Sequence, residues 1–134
     1  MHEVNYIAVA LAALSAFLLG GLWYSPILFA KPWMAQAKIE CGEDGQPKGG
    51  NMALIFGGAF VLNLLAAWAM AAFMGDMNVT VAAAHGFGIG LCWVTASLGV
   101  NYLFERRPLG LWLINSGYFV LQFTIMGAII GAFN

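Results

Sequence analysis

The chain has 134 residues, 62% hydrophobic and only 8% charged, with a formal net charge of −1. Soluble domains carry about 25% charged residues, so this chain lacks the polar side chains to coat a water-facing surface. The simplest solvent for such a surface is lipid, and the length allows one domain over 1–134; the small net charge excludes a field for nucleic acid or acidic substrates.

The first apolar stretch, about 6–28, has no charge from Val4 to Ala30. No basic segment precedes it and the run is too long for a signal sequence, so it is expected to be a retained membrane helix. Pro26, placed inside its end, removes the backbone bond to the Leu22 carbonyl and predicts a kink, with Ser25 in partial compensation. The first gap, 31–51, mixes charges with Gly42, Gly45, Pro47, Gly49 and Gly50 and reads as a flexible loop. A short surface helix is expected over 32–40, opened by Pro32 and anchored at the interface by Trp33.

The second stretch is about 53–74. A tight turn follows, in which Asn78 or Asp76 is placed to cap the third stretch, about 81–104, interrupted only by His85. The last gap is Glu105-Arg106-Arg107-Pro108, and Pro108 opens the fourth stretch, about 109–133. Each stretch exceeds 20 residues, enough to span about 30 Å of hydrocarbon, and none alternates as a membrane strand would. The fold class predicted is all-α, an integral membrane four-helix bundle.

All five Lys and Arg residues lie in the first and third gaps: Lys31, Lys38 and Lys48, then Arg106 and Arg107. Four spans put those gaps on one face and both termini on the other. Cations stay cytoplasmic, so loop 31–51 is expected inside and both termini extracytoplasmic. Cys41 and Cys92 should lie at different depths, as free thiols.

A repeat relates the even stretches. Leu54-Ile55-Phe56-Gly57-Gly58-Ala59-Phe60-Val61-Leu62-Asn63 lies on Leu113-Ile114-Asn115-Ser116-Gly117-Tyr118-Phe119-Val120-Leu121-Gln122 with six identities in ten, and amide falls on amide at the end. The odd stretches echo more faintly. This predicts two related helical hairpins about a pseudo-two-fold axis along the membrane normal, against the alternative of chance similarity between apolar helices. Small-residue stripes supply close packing: Ala12, Ala16 and Gly20; Gly86, Gly90, Ser97 and Asn101; Gly117, Thr124, Gly127 and Gly131. They suit either packing within one bundle or an oligomer seam.

No Asp, Glu, Lys or Arg sits mid-span, which removes the usual proton relays. Asn63 and Gln122 are the deepest amides; with Asn115, Asn101 and Ser25 they are candidates for interhelical hydrogen bonds or for the lining of a polar route. Glu105, Arg106 and Arg107 are candidates for contact with lipid headgroups or a partner, the other reading being that they only fix topology. His85 has His2, Glu3 and Asp76 on its side of the membrane, but no metal-ligand spacing, so no metal site is expected. Gly86-Phe87-Gly88-Ile89-Gly90 lies within a span rather than after a strand and does not read as a nucleotide loop. No nucleophile–base pair or cofactor motif is found, and neither an enzyme nor a cofactor is expected.

The segments 21–33, with Trp23-Tyr24-Ser25-Pro26, and 100–118, with Phe104-Glu105-Arg106-Arg107-Pro108-Leu109-Gly110, resemble the bacterial membrane proteins grouped as domain of unknown function 1761. The resemblance extends over nearly the whole chain, least in the middle loop. It implies a small four-span protein of the bacterial inner membrane, carries no activity, and directs attention to the cytoplasmic turns. The function expected is that of a small non-enzymatic integral membrane protein, as a homo-oligomer or an accessory subunit of a larger membrane complex. The alternative is a small channel or transporter whose polar route forms in an oligomer.

Overall fold

A computed structural model describes residues 3–134. Its helices are α1 (Tyr6–Trp23), α2 (Ala30–Ala37), α3 (Met52–Phe73), α4 (Val79–Gly88), α5 (Thr95–Glu105) and α6 (Leu109–Ala132), with a π-helical segment, Ile89–Val94, joining α4 to α5. Four continuous rods are long and apolar enough to cross a membrane: α1, α3, the α4–π–α5 unit and α6.

Asparagines start three of these rods. The Asn5 side chain accepts from the Ile7 and Ala8 amides, Asn51 from Leu54 at 3.2 Å, and Asn78 from Val81 at 2.9 Å. Each satisfies donors that a helix N-terminus leaves orphaned. Of the two expected caps for the third rod, Asn78 is the one used; Asp76 takes a left-handed turn position at φ 65°. The fourth rod starts behind Pro108, whose ring needs no amide partner.

The end of the first rod differs from expectation. The helix does not run kinked through Pro26 to residue 28; it stops at Trp23. The Leu22 carbonyl instead accepts from the Ser25 hydroxyl at 2.6 Å and the Ser25 amide at 3.2 Å. Phe29 and Ala30 amides then bond back to Trp23 and Ser25, and the chain re-enters helix as α2. A proline so near a helix end is cheaper to exclude than to bend around, because the local serine supplies the missing donor. The loop beyond α2 folds back as a short hairpin. Cys41 pairs with Pro47 in an isolated antiparallel bridge, Lys48 N–H donates to the Glu40 carbonyl at 2.8 Å, and Gly45 takes the left-handed conformation at the tip.

α6 is the central helix, packed on α1 and along the whole α4–π–α5 unit, while α3 packs chiefly on α1. Consecutive rods thus form two antiparallel hairpins, α1 with α3 and α4–π–α5 with α6. The repeat is not matched by equivalent packing between the hairpins: α6 seats on α1, but α3 has no comparable seat on α4. The aliphatic core lies toward the termini, where Val9, Ala12, Ala16, Met70, Met126 and Ile130 are buried together. Asn134 donates to the Met74 and Met77 carbonyls, both at 2.9 Å, so the C-terminus and the α3–α4 turn share one face.

Glycine permits the closest approach. A Cβ on Gly86 would collide with the Phe123 carbonyl of α6, one on Gly90 would stand 2.9 Å from Val120 Cα, and one on Gly127 would strike the Ala82 carbonyl. In lipid, such contact replaces the absent hydrophobic drive between helices. The stripes on α1 and α6 are consumed within the chain: Ala12 and Ala16 are buried, and Gly20 lies against the Tyr118 ring.

The third-rod stripe splits. Gly86 and Gly90 face α6, but Ser97 and Asn101 are exposed. The cause is the π segment, where the Thr95 amide bonds the Gly90 carbonyl five residues back. One extra residue in a turn rotates everything beyond it by about 100°. Thr95, Gly99 and Tyr102 therefore come round toward α6; Trp112 of α6 donates to the Thr95 carbonyl at 2.9 Å and covers Gly99.

Candidate functional site

The interior changes character toward the loop side. There the spans are tied by hydrogen bonds from long-range partners rather than by aliphatic contact. Trp23 Nε1 donates to the Ile114 carbonyl at 2.9 Å, the Tyr24 hydroxyl donates to Asn115 Oδ1 at 2.6 Å, and Asn115 Nδ2 donates to the Tyr102 hydroxyl at 2.7 Å. One amide thus joins the end of α1 to α5 through α6. Deeper, Tyr118 donates to the Ala16 carbonyl at 2.9 Å, and Gln122 Nε2 donates to Asn63 Oδ1 at 2.9 Å.

The candidate polar residues fall into separate groups. Asn63 and Gln122 meet each other. Asn115, which shares a face of α6 with Gln122, turns to two tyrosines instead. Ser25 spends its hydroxyl on Leu22 in its own turn, and Asn101 faces outward. Tyr24, Tyr102, Tyr118 and Trp23 are not singled out in the sequence as polar partners; for Tyr24, Tyr102 and Trp23 the place near the end of an apolar run carries the signal, while Tyr118 lies mid-span.

A cleft of about 420 Å³ opens between α1, α3 and α6 on the loop side. Small residues make the room, Gly20 and Gly21 on α1 and Ala59 on α3; Phe17, Phe56 and Phe119 make the walls; Trp33, Gln46 and Pro47 roof it. Asn63 and Tyr118 bring polar atoms into this apolar space. Ser116 Oγ and Gln122 Oε1 are buried with no hydrogen-bond partner among the described residues.

At the loop-side surface, the end of α2 meets the α5–α6 turn. Lys38, Arg106 and Arg107 line one polar pocket with Gln36 and Glu105. Arg107 Nε donates to Glu105 Oε1 at 2.6 Å, and its guanidinium lies 5.6 Å from the Tyr102 ring centre. That hydrogen bond and charge from Glu105 hold the exposed Arg107 guanidinium above its ordinary pKa, so it stays fully cationic. Lys38 was not grouped with the arginines in the sequence, because 68 residues separate it from Arg106 and only the tertiary fold joins them.

His85 is exposed at the opposite end, its Nδ1 2.8 Å from the Val81 carbonyl. Among the described residues no three His, Cys, Asp or Glu side chains gather as a metal site would need; His2 lies outside the described residues. Cys41 and Cys92 are free thiols.

Four apolar rods, glycine-mediated crossings and a hydrogen-bonded, aromatic loop-side half define a multi-pass α-helical membrane protein. Residues 7–131 match the family model described as "Protein of unknown function (DUF1761)", and the chain belongs to that family. No curated protein and no solved structure matches it.

Proposed function

We propose that this is a non-enzymatic protein of the bacterial inner membrane that works as a subunit, associating with further copies of itself or with a larger membrane complex. The Gln122–Asn63 hydrogen bond carries the reading. The two deepest amides share one hydrogen bond between α6 and α3, and Asn115, Ser25 and Asn101 are spent elsewhere or face outward, so the candidate polar residues do not line up as one route through the chain. The loosely seated α3 supports assembly. It buries only Ala67, Met70 and Ala71, leaving Leu54, Val61, Leu62, Leu65 and Trp68 exposed on a helix held chiefly from one side. Both termini lie outside and the loop-side cations lie inside under this reading.

Extraction from native membrane in mild detergent, followed by native mass measurement, tests it. A single mass equal to one chain, with no co-purifying protein, would refute the subunit reading.

A channel or transporter is the second reading, and the cleft that reaches Asn63 is the observation in its favour. Asn63→Leu with Gln122→Leu separates the two. Altered assembly or stability without a permeation defect agrees with the first reading; loss of flux in a normally assembled double variant agrees with the second.

A further inference from the structure

We propose that the corner where α2 and α5 end is a binding site for one anionic phospholipid, with the phosphate held by Lys38, Arg106 and Arg107. The proposal is independent of the subunit reading. Three of the five cations in the chain converge here from two distant gaps, in a pocket of about 280 Å³ with Glu105 as its only acid. Glu105 is engaged by Arg107 through Nε alone, which leaves the terminal guanidinium nitrogens of Arg107 available. The side chains of Lys38 and Arg106 have no ion-pair partner among the described residues.

The second observation is an apolar groove of about 250 Å³ that shares Arg107 and Pro108 with the polar pocket. Tyr102, Leu103, Leu109 and Trp112 line it, and it reaches back to Gly99. Gly99 is six residues before Glu105, so the groove extends about 9 Å along α5 toward the bilayer interior. A cationic pocket at the interface continuous with an apolar furrow running inward has the polarity profile of a phospholipid: a phosphate above, the first carbons of an acyl chain below. A free anion would use only the upper half.

Backbone conformation sharpens the case. Lys38 and Arg106 both occupy left-handed positions, φ 58° and 59°, at the ends of α2 and α5. Glycine is the residue that such caps favour, and a side chain there carries a steric penalty. Each cation therefore sits at a backbone position that glycine would occupy with less strain.

The test is native mass spectrometry of the full-length protein, titrated with phosphatidylglycerol, with phosphatidylcholine of the same chains, and with inorganic phosphate or glycerophosphoglycerol as chain-free competitors. Retained adducts of phosphatidylglycerol, roughly ten-fold above phosphatidylcholine and not displaced by equimolar competitors, are expected. Arg106→Gly and Lys38→Gly each relieve a left-handed position and leave four of the five cations on the loop side, so the fold and its sidedness are expected to survive. Each should weaken phosphatidylglycerol binding roughly five-fold. Equal binding of the two lipids would overturn the proposal, as would glycine variants that bind phosphatidylglycerol like the parent. Displacement by phosphate or glycerophosphoglycerol at equimolar concentration would reduce the site to an anion site and overturn the lipid assignment.

Discussion

Gln122 Nε2 lies 2.9 Å from Asn63 Oδ1, and this bond joins α6 to α3 across a junction with little other packing. The two residues also end the ten-residue repeat, 59 positions apart. Removing Asn63 leaves Gln122 Nε2 with only the weak Met126 Sδ contact at 3.5 Å, and removing Gln122 deprives Asn63 of its partner on α6, whereas removing both leaves apolar surface against apolar surface. Gln122→Leu and Asn63→Leu alone are each expected to cost about 1–2 kcal/mol, and the double variant less than their sum. Steric-trapping unfolding in bicelles reads this cycle. A coupling indistinguishable from zero would show that the bond contributes nothing to the junction.

Gly86 and Gly57 make a matched pair for testing the glycine seam. A methyl at Gly86 strikes the Phe123 carbonyl, while a methyl at Gly57 meets nothing within 4 Å. Gly86→Ala should destabilise the fold by about 1–3 kcal/mol, since α4 must move off α6. Gly57→Ala should stay within about 0.5 kcal/mol of the parent. Unfolding in graded denaturing detergent ranks the two, and equal stability would contradict the close crossing.

Asn115 is the centre of the loop-side network, accepting from Tyr24 and donating to Tyr102. Asn115→Leu breaks both bonds and should cost more than Tyr102→Phe, which breaks one at about 0.5–1.5 kcal/mol. The loss should appear first at the loop side, so an increase in amide exchange over the parent that is larger over 24–37 than over 6–16 is the expected signature. An equal change in exchange over 24–37 and over 6–16, relative to the parent, would argue against a localised network.

The two thiols report sidedness. Cys41 lies in the loop hairpin and Cys92 on the exposed face of the π segment within a span. A membrane-impermeant maleimide should label Cys41 in inverted vesicles and not in intact spheroplasts, and should spare Cys92 in both. Labelling of Cys41 from outside intact cells would reverse the proposed orientation.

The sequence by itself determined the number of spans, their antiparallel order and the separation of cations from termini. These follow from local quantities: the length of uncharged runs, and charges too costly to bury in hydrocarbon. The cap of the third rod was legible only as far as Asn78 or Asp76, from their position before an apolar run, and internal repetition made Asn63 and Gln122 counterparts without deciding between mutual bonding and the lining of a polar route. Where α1 stops was not legible, because whether Pro26 bends or ends a helix depends on whether Ser25 captures the Leu22 carbonyl. Nor was the rotation of α5. Three glycines within five residues, 86, 88 and 90, tolerate either an α or a π turn, and the packing of Gly90 on Val120 and of Trp112 on Gly99 accompanies the π choice. The meeting of Lys38 with Arg106 was decided by tertiary structure alone. In a membrane every rod is apolar on all sides, so composition says which segments cross but hardly which faces touch; that is set by shape and by the few polar atoms that must find one another.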